Sequence, residues 1–157
     1  MTPSPPSTPD DPIVRLILAD LADAPTMLNL ARAFHKEDKH PLSEQGERAL
    51  NHLLSDRTYG LVFKIEASRS VIGYAVLCFG YSVELGGRDA FLDDFYIVPS
   101  ERGHGLGRSV MDALIDIARK AGCAALHLEV VAGNRAHDQR VCGLDDVSSS
   151  PDVDSGV

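Results

Sequence analysis

The chain has 157 residues and a formal net charge of −8, with 44% apolar and 24% charged residues. This length suits one domain, and the acidic balance argues against nucleic acid as a partner, because a phosphate backbone requires a basic surface. No apolar run approaches the ~18 residues that a membrane-spanning helix needs, so no membrane partner is expected.

The cysteines and the N-terminus indicate the compartment. Cys78, Cys123 and Cys142 are too few and too widely spaced for a disulfide framework or a zinc site. The first residues, MTPSPPSTPDDP, lack the charged and apolar regions of a signal peptide. These features predict a cytoplasmic protein that holds no metal.

The first third of the chain predicts one strand and two helices. Residues 1–12 contain five prolines and are expected to be disordered. An apolar run at 13–19 predicts a strand, and apolar residues at helical spacing over 24–34 predict a helix. A polar loop over residues 35–42 follows, and Ser43 then caps a second helix.

The middle of the chain changes to the two-residue period of strands. Runs at 59–67, 71–84 and 90–98, joined by short polar turns, predict an antiparallel meander. A glycine-rich loop then precedes a helix over 106–121, and 124–131 is a further strand. Strand, helix and strand in this order predict a right-handed crossover between parallel strands.

The glycine-rich loop carries the clearest chemical signal. Alternating glycines let a ligand approach the main chain, and the N–H groups that begin a helix attract an anion. The pattern predicts a pyrophosphate site flanked by Arg102 and Arg108, with an unliganded tight turn as the alternative. The loop lies too far from its strand for the dinucleotide fingerprint and lacks the lysine of a P-loop.

These residues resemble a known family. The segment 91–99, followed by Arg102-Gly103-His104-Gly105-Leu106-Gly107, is similar to the acetyl-coenzyme A motif [Arg/Gln]-x-x-Gly-x-[Gly/Ala] of the GNAT superfamily of N-acetyltransferases. The resemblance runs from about residue 13 to residue 134. Residues 86–94 look most like bacterial small-amine acetyltransferases and, more distantly, diamine acetyltransferases.

The resemblance implies a fold and a reaction. The expected fold is α+β (α/β), with a mixed central sheet, antiparallel N-terminal strands, a β-α-β acetyl-coenzyme A unit and flanking helices in a domain spanning 13–136. The expected reaction transfers acetyl from acetyl-coenzyme A to a primary amine of a small molecule or peptide by direct attack. The implied cofactor-binding residues are Tyr96, Ile97, Val98, Arg102, Gly103, His104, Gly105, Leu106, Gly107, Arg108 and Asn134.

The resemblance also implies acidic site residues. Asp93 matches the position of the family's general base or amine anchor, and Asp94 is the alternate. Because side chains alternate along a strand, we expect these two carboxylates on opposite faces, with only one in the site. Glu37 and Asp38 lie where the family lines its acceptor pocket, so they are candidate contacts for a cationic substrate, with surface charge as the alternative.

The sequence departs from the family pattern after Asn134. No tyrosine follows to protonate the departing thiolate, and no Gly-Phe pair is present. We therefore expect the usual last strands to be missing and 137–157 to be a disordered acidic tail; a truncated or frame-shifted C-terminus would account for the change. The strand 124–131 would then have an exposed apolar edge, which favours a homodimer.

Two other functions stay open at this stage. A degenerate, non-catalytic acyl-coenzyme A-binding module would keep the glycine loop and lose the chemistry, as the missing tyrosine suggests. A nucleotide-binding α/β domain would use the same loop for a different phosphate ligand.

Overall fold

The computed structural model describes residues 13–130 and 138–143. Within them, no helix is long and apolar enough to cross a membrane. The helices and strands are β1 (Arg15–Leu18), α1 (Ala24–Glu37), α2 (Glu44–Ser55), β2 (Gly60–Ala67), β3 (Ser70–Ser82), β4 (Gly87–Ile97), α3 (Leu106–Lys120), β5 (Ala125–Val130) and β6 (Asp138–Gly143).

The described strands form one six-stranded sheet in the order β1-β2-β3-β4-β5-β6. Every neighbouring pair is antiparallel except β4 and β5, which are parallel and joined through α3. The predicted meander and the predicted β-α-β unit are therefore both confirmed. A parallel pair requires such a crossover, because a tight turn can only join antiparallel strands.

Helix α3 covers one face of the sheet. Its apolar positions recur every four residues, and they place Leu106, Val110, Leu114 and Ala118 in a buried cluster. This cluster includes Leu77 from the centre of the sheet, which is fully buried. The packing fixes the start of α3, and with it the glycine loop, relative to the end of β4.

Helices α1 and α2 cover the opposite face. Met27 of α1 and Leu54 of α2 belong to a second buried cluster that includes Tyr74 and Val76 of β3 and Tyr96 of β4. Ser43 caps α2 as predicted, since its side chain accepts a hydrogen bond of 3.0 Å from the N–H of Gly46.

Helix α1 is longer than predicted. The expected polar loop from His35 to Leu42 is wrong at its start, because the helix continues to Glu37. His35 lies four residues after the buried Ala31, so it stays on the face that packs against the sheet. Its position in the last turn also suits a basic side chain at a helix C-terminus.

The end of the sheet corrects another expectation. Residues 138–143 form β6, which pairs antiparallel with β5 from Ala125↔Gly143 to Val130↔Asp138. The predictions that no strand follows β5, and that a disordered tail begins at residue 137, are therefore wrong for this segment. Pairing uses main-chain groups, so a weakly patterned segment can still satisfy an open strand edge. Because β6 covers the edge of β5 at which a homodimer was expected to form, that edge gives no support for a homodimer.

The contact between β3 and β4 gives a stability prediction. A Cβ added to Gly73 would lie 2.0 Å from the carbonyl oxygen of Tyr96, which is backbone and cannot turn away. We expect Gly73→Ala to lower the free energy of unfolding by about 1–3 kcal/mol, as overpacking does in a sheet interior. Urea denaturation measures this effect.

The control for this prediction is Gly87→Ala, because nothing lies within 4 Å of a Cβ at Gly87. We expect this variant to stay within about 0.5 kcal/mol of the parent. Equal stability of the two variants would contradict the close approach at Gly73.

Candidate active site

The site begins with an irregularity in β4. The pairing of β3 with β4 runs Val76↔Asp94 and then Leu77↔Leu92, so Asp93 is an extra residue in the ladder. One extra residue on one strand is a β-bulge, and it breaks the alternation of side chains.

The bulge overturns the expectation that Asp93 and Asp94 lie on opposite faces. Leu92 and Phe95 both pack on the α3 side although they are three residues apart. The two aspartates between them are therefore both excluded from that side. The charges of both aspartates also act on Tyr74 and Cys78, which lie on the α1 side of the sheet.

Asp94 is held by two donors from different elements. Its Oδ2 accepts a hydrogen bond of 2.7 Å from the hydroxyl of Tyr74 and lies 3.1 Å from Nε2 of His35. Tyr74 is fully buried, and burial, followed by the charge of Asp94, raises the pKa of its phenol strongly. The phenol therefore stays protonated and serves as a fixed donor.

Asp93 has a different environment. Its side chain is exposed at the surface, yet the surrounding protein desolvates the carboxyl enough to raise its pKa. The charge of Asp94 raises the pKa further, and the charge of His35 opposes both effects. Two neighbouring carboxyls with different partners can take different roles in proton transfer.

The sheet opens beside these residues. Within the described chain, β5 pairs with β4 only from Asp89 to Leu92, so the rest of β4 has a free edge on that side. The N–H of Val98 donates to the carbonyl of Ile72 at 2.8 Å, so it faces β3. In an antiparallel ladder the main-chain N–H and C=O groups of successive residues point to alternate sides. Those of Tyr96 therefore also face β3, whereas those of Phe95 and Ile97 face the opening.

The main-chain groups at the end of β4 differ in whether they are free to contact a cofactor. The N–H of Val98 and the main chain of Tyr96 are used within the sheet, and only Ile97 of the three expected residues faces the opening. Phe95, which was not expected, shares that orientation.

The glycine loop has the form of a cradle. Gly103 and Gly105 have positive φ values of 86° and 73°, which other residues rarely adopt. Gly105 is the N-cap of α3, so unpaired N–H groups of the first turn follow it directly. A Cβ at Gly103, Gly105 or Gly107 would meet no atom within 4 Å, so the three glycines leave open space above the main chain.

A cavity of about 400 Å³ lies between this loop, the end of β4 and the end of α1. Its volume falls within the range of ligand-binding pockets, ~300–1,000 Å³. The lining residues are Phe34, Glu37, Asp38, Phe95, Tyr96, Ile97, Glu101, Arg102, Gly103, Gly105, Leu106 and Gly107.

Arg102 and Glu37 form an ion pair at this cavity. The guanidinium donates from Nη1 to Oε1 at 2.7 Å and from Nη2 to Oε2 at 3.0 Å, and its Nε donates to the carbonyl of Ile97 at 2.7 Å. This pairing holds the pKa of Glu37 below its usual range. In this structure Arg102 is thus bound to the protein, and the charge of Glu37 is compensated.

The other expected cofactor and substrate residues lie as follows. His104 and Arg108 are exposed at the loop, and no hydrogen bond or ion pair engages them among residues 13–130. Of the two arginines, Arg102 lines the cavity and Arg108 does not. Asp38 lines the cavity beside Glu37, and Asn134 lies outside the described residues.

Another acidic group lies earlier in β4, near its start. Asp89 is buried, and its Oδ2 lies 2.9 Å from Nε2 of His127 on β5. The imidazole of His127 stacks on Phe91 with a centroid distance of 4.5 Å. This pair joins β4 and β5 just before the point at which the two strands separate.

Sequence reasoning missed two side chains of the site, His35 and Tyr74. The spacing of four residues from Ala31 to His35 was a signal for His35, because it continues the buried face of α1. Tyr74 lies in an apolar run that reads as ordinary core, and no sequence pattern marks its hydroxyl as a partner of Asp94.

Comparison with known proteins supports a family assignment. The pattern of the Acetyltransferase (GNAT) family matches residues 25–139. Among solved structures, the integron cassette protein HFX_CASS3 from the mobile metagenome of Cole Harbour Salt Marsh is 30% identical, with a TM-score of 0.67 over 78% of this chain and 86% of that one.

Two curated relatives extend the comparison. Thialysine N-epsilon-acetyltransferase of Bos taurus is 35% identical over 65 residues, which are 41% of this chain and only 38% of that protein. The [ribosomal protein bS18]-alanine N-acetyltransferase of Escherichia coli K12 is 34% identical over 124 residues, covering 79% of this chain and 72% of that protein. The chain therefore belongs to the GNAT acetyltransferase family.

Proposed function

We propose that this protein is an N-acetyltransferase that transfers the acetyl group of acetyl-coenzyme A to a primary amine by direct attack. The observation that carries the proposal is the pair of carboxylates at the bulge of β4. The same strand runs from this pair into the glycine cradle, so a proton acceptor and an anion site lie along one continuous segment.

The cradle fits the pyrophosphate of coenzyme A. Open space above three glycines admits phosphate groups close to the main chain, and the N-terminus of α3 favours negative charge. Arg108 is an exposed cation next to the cradle, and no ion pair engages it within the described chain. The edge of β4 offers the main chain of Phe95 and the N–H of Ile97 to an extended arm, because the carbonyl of Ile97 is bonded to Arg102. When bound, acetyl-coenzyme A supplies the activated acetyl group.

The acceptor needs a base. A primary amine is an ammonium ion near neutral pH and must lose a proton before it can attack. Asp93 is the proposed base, because its carboxyl is exposed, accepts no hydrogen bond within the described chain and has a raised pKa. A raised pKa makes a carboxylate a stronger proton acceptor.

The nearby thiols support direct attack. Cys78 lies on the α1 side near both aspartates, and burial, followed by the charge of Asp93, raises the pKa of its thiol to about 11. Burial also raises the pKa of Cys123. A thiol is a weak nucleophile unless it is ionised, so neither residue favours a covalent acetyl-enzyme route.

The relatives support an amine as acceptor. Their names give thialysine and the alanine of ribosomal protein bS18 as the groups acetylated. Both acceptors belong to the proposed class, a primary amine of a small molecule or peptide. These two relatives also define a minimal panel, namely thialysine and a peptide with an N-terminal alanine.

The cofactor site gives a binding prediction. Gly107→Glu would place a side chain and a negative charge in the cradle, so we expect the affinity for acetyl-coenzyme A to fall at least tenfold, about 1.4 kcal/mol. Isothermal titration calorimetry measures it. Gly87→Glu is the matched control, since a Cβ there also meets open space but lies at the start of β4, away from the cradle at its end.

Equal affinity of the two glycine variants for acetyl-coenzyme A would place the cofactor elsewhere. Tighter binding of NAD or ATP than of coenzyme A would favour a nucleotide-binding domain over the proposed enzyme.

The base gives a catalytic prediction. Asp93→Asn keeps the size of the side chain and removes the proton acceptor, so we expect kcat/KM to fall by about 10²–10⁴-fold with unchanged binding of acetyl-coenzyme A. Release of free thiol with each panel amine measures the rate. Asp112→Asn, at an exposed position of α3, is the control and should retain full activity.

Binding of acetyl-coenzyme A by the parent protein without any thiol release would contradict the enzyme proposal. That result would favour the non-catalytic acyl-coenzyme A-binding module. Full activity of the Asp93→Asn variant would instead remove Asp93 from the mechanism.

A further inference from the structure

His35 reaches the carboxylate pair from another element. It lies in the last turn of α1, and its Nε2 is 3.1 Å from Oδ2 of Asp94, 59 positions further along the chain. Its side chain is 25% exposed and that of Asp94 is 15% exposed, so water only partly screens the contact. Phe34 packs edge-on against the imidazole at 5.0 Å and against Tyr74 at 6.4 Å.

The contact defines the state of the imidazole. Oδ2 of an ionised Asp94 can only accept hydrogen bonds, so Nε2 of His35 must carry a hydrogen in either charge state. In the neutral ring, Nδ1 is then the acceptor and is the atom that takes up a proton. His35 can therefore gain a positive charge without losing its bond to Asp94.

The titratable groups around His35 and the two aspartates come from three elements. The titratable groups of this cluster are His35 from α1, Tyr74 and Cys78 from β3, and Asp93, Asp94 and Tyr96 from β4. The phenol of Tyr74 and the thiol of Cys78 stay neutral because burial raises the pKa of both. Of these described groups, His35 is thus the one that can carry a positive charge next to the two aspartates.

We propose that His35 is a positioning residue for the acetyl transfer, which holds Asp94 in place from α1 and sets, by its own charge, how readily Asp93 accepts a proton. This inference rests on the proposed function. His35 acts through the two aspartates and need not touch the substrate. The bulge is what makes this possible, since it puts both aspartates on the side that α1 covers.

The sign of the effect follows from the charges. At the acidic pH at which carboxyls titrate, an imidazole is ordinarily protonated and positive. A positive charge lowers the pKa of the nearby Asp93 and so opposes desolvation and Asp94. Removing that charge raises the pKa of Asp93. A base with a higher pKa becomes protonated, and therefore stops accepting protons, at a higher pH.

The test compares His35→Gln with the parent protein. Glutamine keeps an N–H donor for Asp94 but cannot become charged. We expect the ¹³C carboxyl titration of Asp93, assigned with Asp93→Asn, to move up by about half a pH unit. The acid limb of kcat/KM should move with it, lowering kcat/KM about threefold on the limb and leaving the plateau at higher pH unchanged.

The control is His40→Gln, which removes an exposed histidine just beyond α1 and should shift neither curve. Rates are measured with acetyl-coenzyme A and the better acceptor of thialysine and the alanine peptide. An unchanged Asp93 midpoint in His35→Gln, or an equal shift in His40→Gln, would overturn the proposal.

Two further measurements separate the outcomes. Imidazole ¹⁵N spectra of the parent protein should show neutral His35 protonated at Nε2, and protonation at Nδ1 would overturn the contact without any variant. If the parent protein acetylates neither amine, the proposed function fails and the catalytic role of His35 with it. The carboxyl titration would still decide whether His35 controls Asp93.

Discussion

The extra residue at Asp93 is the constraint on which the site depends. With regular alternation, one of the two aspartates would point into the apolar core beneath α3, where an unpaired charge is very unfavourable. The bulge keeps Leu92 and Phe95 in that core and leaves both carboxylates on the α1 side. The buried centre of β3, residues 72–77, lies on the other side of the ladder and holds β4 in register, so the bulge has a defined position.

The last turn of α1 connects the two halves of the site. His35 bonds to the carboxylate pair, and Glu37, two residues later, bonds to Arg102 of the glycine loop. Arg102 in turn bonds to the carbonyl of Ile97, so strand, loop and helix end are joined by charged hydrogen bonds. The end of α1 therefore supports both the carboxylate pair and the glycine loop, although it lies 59 positions before Asp94 and 65 before Arg102.

Net charge is a weak guide to this site. Several acidic residues pair locally with bases, such as Asp23 with Lys64 and Glu47 with Arg32. Residues 134–157 alone hold five aspartates against two arginines, so part of the overall −8 comes from this segment of the sequence. Within the part of the chain that the structure describes, Asp93 accepts no hydrogen bond and lies next to a second carboxylate. Composition carries no information on either feature.

The sequence by itself determined the order of strands and helices as far as β5, the parallel crossover and the glycine cradle. Each of these depends on local periodicity or on backbone freedom, which the chain carries residue by residue. Only the tertiary structure decided which residues meet: the bulge that places Asp93 beside Asp94, the bonds from Tyr74 and His35, and the pairing of β6 with β5. Such features depend on register and on main-chain partners far along the chain, and these arise only when the sheet assembles.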